Sequence, residues 1–393
     1  MKPRRFRLCA VGALLGMTFV LAATLSADDG PNHQIFQARA TIQLGTSGGN
    51  IKDRSKAFCC SGTLGALVTR AGVKHILSNN HVLARTNKGS VGDDIIQPGL
   101  IDQNPVCSQD VNDAVADLSE WEPILFTKGT TNIVDAAIAQ VRDGMVDPEG
   151  SILDIGKISA DLATAAINMP VKKSGRTTGL TLGVVAAVNV TIDVKYGSVC
   201  GGGRGTARFR DQIRITPGSF SAGGDSGSLV VEDVVEDLNP RTMPVGLLFA
   251  GGSNDTFANP IQSVLDAFEP DVTMVASTTG GTAFWKWLGR FLPATQTAHA
   301  ANPAHRPIDP ASQAAATQAK ERHEQAVMRI EGVVGLGVGA SDVAPDEAVV
   351  EVYVKRATPA VRAAIPAELD NVQVKVVETG EITARTDACH LDR

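Results

Sequence analysis

The stretch Phe220–Val231, FSAGGDSGSLVV, constrains the fold of this chain more than any other. A serine sits inside Gly224-Asp225-Ser226-Gly227, and an apolar, β-branched run follows at once. Two glycines beside a serine let the backbone take a tight path, partly at φ > 0, that a Cβ would forbid. Such a turn can aim successive backbone N–H groups into one small space that suits an oxyanion. Ser226 then projects its hydroxyl beside those donors. The run behind it reads as a strand, so the local element is strand-turn-strand. Taken alone, the same residues also fit a glycine-rich hairpin turn carrying an ordinary surface serine.

Two upstream stretches decide between these readings. LSNNHVLA carries His81 at the end of a strand-like run, and NIVDAAIAQV carries Asp135 ahead of another. One base, one acid and one nucleophile, in the order His81, Asp135, Ser226, meet the needs of triad chemistry. Asp113, Asp117 and Asp143 are rivals to Asp135 but sit in polar loops. With these blocks, and with CSGTLGALV, QPGLID, KSGRTTGLTLG and VGLLFAGG, the chain from Ala38 to Ala276 resembles a bacterial branch of the chymotrypsin/trypsin-like serine peptidases.

That resemblance implies a mainly β fold of two six-stranded antiparallel barrels with the active site between them. It implies Ser226 as nucleophile, His81 as general base and then acid, and Asp135 as the group orienting His81. The backbone N–H groups of Gly224 and Ser226 would hold the oxyanion. The substrate would be a protein or peptide, and no cofactor or metal is implied. Asn79-Asn80 stand where the family has small residues, and they are expected to bond their local backbone. Zymogen-type members pair the aspartate at Asp225 with a freed N-terminus. No Ile-Val type N-terminus is apparent here, so Asp225 is expected to brace its own loop. Lys173 and Arg176 read as part of a structural strand and turn. Phe249, Ala250 and Gly251 would line the primary specificity pocket. Phe220 stands where acidic-pocket members carry aspartate, so a preference for Lys or Arg is not expected. Glutamate-preferring members use a histidine on the Leu247-Leu248 strand, and none is there. An apolar pocket remains by elimination, with Phe220 placed to fill it. A catalytically silent binding protein and a protein that processes only itself are the alternatives.

Composition agrees with a β-rich chain. Among 393 residues, 39 are glycine and only 4% are aromatic, which suits many turns and suits a helical bundle badly. The length allows two barrels plus something small. A net charge of -6 argues against nucleic acid as a partner. Residues 1–27 read as a signal peptide, MKPRRFR followed by an apolar run and a small-residue exit, with an uncleaved anchor as the alternative. A secreted or periplasmic destination follows. There, Cys59, Cys60, Cys107, Cys200 and Cys389 are expected to form one or two disulfides, of unassigned pairing.

The domains read as a first barrel over 33–160, a second over 161–276, a linker over 277–319 and a small α+β module over 320–386. Segment 284–292 is aromatic and basic. It fits a weak contact with a membrane surface or a helix packed on the barrel. GVVGLGVG has dinucleotide-like glycine spacing, but no helix is expected after it, and it reads as a strand. The module's role stays open among pro-region, inhibitor, with a contact inside the chain, and targeting unit.

Overall fold

The computed structural model describes His33 and residues 42–197, 200, 202–236, 239–270, 272–276, 307–385 and 387–390. The predicted signal peptide and segment 284–292 lie outside the described residues.

Short runs with buried, β-branched or small side chains, broken by Gly and Pro, give strands nearly throughout. The first barrel holds β1 (Thr46–Asn50), β2 (Phe58–Leu64), β3 (Ala66–Arg70), β4 (Val73–Ser78), β5 (Asp94–Ile96), β6 (Ala114–Trp121) and β7 (Ala137–Val141). Their sheet runs β3-β4-β7-β6-β5-β1-β2. Because β2 and β3 are one stretch of chain bent at Gly65, the two ends of that path meet. Leu44, Leu64, Leu67, Ile76, Leu77, Val115 and Ile138 fill the interior.

The second barrel holds β8 (Pro170–Gly175), β9 (Gly179–Tyr196), β10 (Gly205–Thr216) and β11 (Leu229–Glu232). A hairpin of β12 (Val234–Glu236) and β13 (Asn239–Arg241) leads to β14 (Pro244–Gly251) and β15 (Thr256–Pro260). The order is β10-β15-β14-β11-β8-β9, and a β10–β9 pairing closes it. Helix α2 (Ile261–Asp266) and β16 (Val272–Met274) then bring the chain back to pair with β3 of the first barrel. Two disulfides form, Cys59–Cys107 and Cys60–Cys200. The second ties β2 to the loop after β9 and so bridges the barrels.

The C-terminal module opens with α3 (Pro310–Val327). The helix thus starts inside the stretch read as linker. Asp309 caps it by accepting from Ser312 N at 2.7 Å, Pro310 fits its first turn, and the alanines that follow favour helix. Strands β17 (Val333–Ala340) and β18 (Ala348–Val354), helix α4 (Pro359–Ala364), β19 (Glu368–Leu369) and β20 (Val372–Glu378) complete it. The module is not separate. Strand β17, the GVVGLGVG run, pairs antiparallel with β9, so the module continues the second barrel's sheet. Beyond β20 the chain crosses back over both barrels as β21 (Thr383–Ala384), on β14, and β22 (Asp387–His390), on β2. Among the described residues no helix is long and apolar enough to cross a membrane.

Candidate active site

His81 and Asp135 are in direct contact in the first barrel, and Ser226 comes from the second barrel, where its carbonyl accepts from Thr63 N of the first at 2.8 Å. The end of β4 feeds a one-turn helix α1 (Asn80–Leu83) that carries His81. Asp135 lies just before β7, and Ser226 lies in the turn before β11. All three are buried. His81 Nδ1 and Asp135 Oδ2 are 2.6 Å apart, and the His81 backbone N–H donates to Asp135 Oδ1 at 3.1 Å. A carboxylate that bonds both the ring and the backbone of one histidine fixes the ring's orientation and its tautomer.

The asparagines before His81 do more than bond local backbone. Asn79 Nδ2 donates to the Asp135 carbonyl at 2.7 Å, and Asn80 Nδ2 to the Glu122 carbonyl at 2.7 Å. They tie the histidine turn to the acid's own main chain and to the chain just after β6. Asn259 on β15 accepts from the Asp135 N–H at 3.1 Å, which anchors the acid to the second barrel.

Asp135 has a further partner that the sequence reading did not single out. Tyr196, at the end of β9, donates its hydroxyl to Asp135 Oδ2 at 2.7 Å. Burial and the neighbouring carboxylate push the Tyr196 phenol well above its ordinary value, so it keeps its proton and remains a donor. Its ring meets His81 edge-on at 5.9 Å between centroids. The chain has only two tyrosines, and a buried tyrosine needs a hydroxyl partner. Scarcity was the available signal; the partner lies far away in sequence.

The nucleophile turn is braced from behind. Asp225 is fully buried and accepts from Thr177 N at 2.9 Å, Ala222 N at 2.9 Å and Thr178 Oγ1 at 2.7 Å. Lys173 Nζ, also fully buried, lies 3.6 Å from its carboxylate. Burial pushes the Lys173 ammonium down, and the Asp225 charge opposes that. Lys173 thus places a buried cation beside the Asp225 carboxylate behind the turn. Its ammonium sits 6.0 Å from the Phe220 ring. Phe220 itself is buried in the second barrel's core with Val171, Val185, Ile213 and Leu248. It packs under the site rather than offering a surface to a ligand.

Gly224 has φ +93°, which turns its N–H into the cleft. That N–H donates to the carbonyl oxygen of Arg385 at 2.6 Å. Ser226 Oγ donates to the Phe249 carbonyl at 3.1 Å. His81 Nε2 is buried and has no hydrogen-bond partner among the described residues. The hydroxyl is therefore parked on β14, and the base is open. Phe249, Ala250 and Gly251 of β14 lie along the crossing C-terminal strand. Ala250 pairs with Ala384, Gly251 pairs with Thr383, and Arg385 N donates to Phe249 O at 3.1 Å. The Phe249 side chain points away into a core cluster with Phe209 and Phe257. Beside the strand is a cavity of about 220 Å³, lined by His81, Tyr196, Gly202 and Ala384 among others.

The chain is similar to several known proteins. No family model matches the chain. Glutamyl endopeptidase 2 of Streptomyces griseus is 38% identical over 128 residues, which is 29% of this chain and 68% of that protein. Serine protease 1 of Streptomyces fradiae is 36% identical over 92 residues, 20% of this chain and 26% of that protein. Among solved structures, a glutamic acid-specific serine protease described as using a histidine triad in substrate binding is 22% identical, with a TM-score of 0.39 over 59% of this chain and 100% of that one. Thermobifida fusca protease A is 17% identical, with a TM-score of 0.39 over 61% of this chain and 100% of that one. With two thirds of the S. griseus enzyme matched at that identity, the chain belongs to the chymotrypsin-like serine peptidases, a family of serine endopeptidases.

Proposed function

We propose that this chain is an exported serine endopeptidase that cuts peptide bonds through an acyl-enzyme on Ser226. His81 takes the Ser226 proton as the hydroxyl attacks the substrate carbonyl, then gives it to the leaving amine. Asp135 holds the ring and stabilises the imidazolium, and Tyr196 and the Asp135 N–H contact hold Asp135. The Gly224 N–H, with that of Ser226, receives the oxyanion. Water then releases the acyl group along the same proton route. Lys173 and Asp225 keep the turn in shape. The observation that carries this reading is the buried 2.6 Å contact of His81 with Asp135, with His81 Nε2 buried and unpartnered among the described residues. Export rests on residues 1–27 as a signal peptide.

The bond from Ser226 Oγ to the Phe249 carbonyl favours a second reading, a silent binding protein that keeps the fold. One experiment separates the two. Wild type, Ser226→Ala and Arg385→Pro, whose C-terminal strand lacks the Arg385 N–H and side chain, are exposed to a fluorophosphonate, and intact mass is read with casein digestion in parallel. A single adduct on the first and third chains, none on Ser226→Ala, and a loss of casein cutting of at least about 10³-fold on removing the nucleophile is the expected result. Chains that all stay unlabelled and leave casein whole would be binding proteins.

A further inference from the structure

The structure assigns the C-terminal strand as a resident peptide of the cleft, and assigns the pocket beneath it to an arginine side chain. This rests on the peptidase reading for its chemistry but not for its geometry.

The strand lies as a substrate would, on both sides of Ser226. On one side, Thr383 and Ala384 pair antiparallel with β14 and Arg385 N donates to Phe249 O at 3.1 Å. On the other, Asp387–His390 pair antiparallel with β2, in register from Ser61↔Asp387 to Phe58↔His390. Between them, the Arg385 carbonyl oxygen sits on the Gly224 N–H at 2.6 Å, the donor proposed for the oxyanion. Arg385 therefore occupies the place of the residue whose acyl group is transferred.

Its side chain enters the barrel beside Gly251. A Cβ on Gly251 would stand 2.0 Å from Arg385 Nε, so this entry requires glycine there. Nη2 donates to the Gly252 carbonyl at 2.6 Å and to the Asp255 carbonyl at 3.2 Å. The Asp255 side chain is 1% exposed, and its Oδ1 takes Arg214 at 2.7 Å. Its Oδ2 is buried with no hydrogen-bond partner. Burial raises the Asp255 carboxyl while Arg214 and Arg385 oppose the rise. Arg214 also pairs with Glu351 at 2.9 Å, and Lys375, bound to Asp342, stands 3.6 Å from Glu351. Arg214 and Lys375 already balance Asp255 and Glu351, so what the pocket offers a cation is the unpartnered Asp255 oxygen and the two main-chain carbonyls. A buried carboxylate oxygen left without a donor is costly, and a cationic side chain beneath it offsets part of that cost. Asp255 is thus the specificity-determining residue, in place of the apolar pocket expected by elimination.

A tethered peptide of this kind acts at an effective concentration in the millimolar range, so it outcompetes ordinary free peptides. Its role is tested by binding in chains that cannot turn over. Ser226→Ala and Ser226→Ala/Arg385→Pro, both full-length, are titrated into labelled Ile-Thr-Ala-Arg amide, the sequence of residues 382–385, and into the same peptide ending in Leu or Glu. The double variant is expected to bind the Arg peptide at least about tenfold tighter than either other peptide, and at least about tenfold tighter than Ser226→Ala with its own strand intact. Adding Asp255→Asn is expected to remove most of the preference for Arg while leaving the Leu peptide unchanged. If that triple variant fails to fold, by its circular dichroism, the comparison of peptides in the double variant still decides. Equal binding of the Leu or Glu peptide, or equal binding by the chain with its strand intact, overturns the assignment. Failure of the peptidase reading would appear elsewhere, as absent fluorophosphonate labelling, with these affinities unaffected.

Discussion

The C-terminal chain is attached to the barrels twice, and the two attachments differ in kind. The module body, from α3 to β20, is a continuation of the second barrel. Strand β17 extends the sheet at β9, and Tyr353 packs in the same cluster as Phe209, Phe249 and Phe257. The charges at that seam are buried and paired: Arg214 with Glu351, and Lys320 Nζ with Thr191 Oγ1 at 2.8 Å and Glu324 at 2.7 Å. Lifting the body off would break the Arg214–Glu351 pair and the Lys320–Thr191 bond and expose the apolar cluster of the seam to water. The strand over the cleft is held by main-chain hydrogen bonds, by the Arg385 side chain on the Gly252 and Asp255 carbonyls, and by one ion pair, Arg176 with the part-exposed Asp387 at 2.6 Å. A free peptide with arginine at the same place can replace the main-chain and arginine contacts. The body is part of the fold, whereas the strand is a ligand that happens to be tethered.

The comparison breaks most visibly at Glu351. It is buried, accepts from Arg214 and from the Tyr353 hydroxyl at 3.1 Å, and has Lys375 nearby. Removing one partner of a buried pair leaves the other uncompensated, so Glu351→Ala is expected to cost about 3–5 kcal/mol. Urea unfolding of the full chain checks it. A loss below about 1 kcal/mol would mean that the body is only docked, like the strand.

Much of the site was legible in sequence because triad chemistry needs particular residue types beside strands. His81 and Asp135 could be picked from their blocks, since polar residues at the ends of apolar, alternating runs point into a shared cleft. What escaped was long-range pairing. Tyr196 and Lys173 each look like ordinary strand residues, and their value lies in a carboxylate reached only after the barrels close. Phe220 was placed by its spacing from Ser226, but an aromatic ring in that turn gains more by packing into the core than by lining a polar mouth. The crossing strand was hidden for a different reason. Residues 380–390, GEITARTDACH, carry too few apolar side chains to announce a strand, because their hydrogen bonds are supplied by β14 and β2 and not by each other. Helix α3 was masked by the proline and alanine content that also marks linkers, although Asp309-Pro310 is a good helix start.

Ile382 sharpens the comparison, because it joins the two attachments. Its side chain is 1% exposed in the cluster with Tyr353 and Phe249, and its carbonyl accepts from Lys195 N at 2.9 Å. Truncating a buried isoleucine costs about 2–5 kcal/mol where the cavity cannot collapse. At the end of a replaceable strand the site can relax, so Ile382→Ala is expected at the low end, about 2 kcal/mol, by the same urea unfolding. It should also speed fluorophosphonate labelling of Ser226, since the strand loses its anchor. A stability loss with unchanged labelling would assign Ile382 to the body alone.

Asp387 tests the ligand end by itself. Its side chain is 41% exposed, and its partner Arg176 is also held by Asp102, at 2.6 and 2.9 Å. Arg176 would thus keep a carboxylate after Asp387→Asn, and a half-exposed pair contributes little once solvent screens it. The expected cost in unfolding is below about 1 kcal/mol, the smallest of the three. The same change loosens the strand on the β2 side, so labelling of Ser226 should quicken about two- to fivefold, and more at low salt than at high salt, where screening has already weakened the wild-type contact. If the substitution instead unfolds the chain as Glu351→Ala does, the strand is as much a part of the fold as the body. If stability and labelling both stay at wild-type values, the main-chain pairing with β2 and β14 holds the strand without help from this charge.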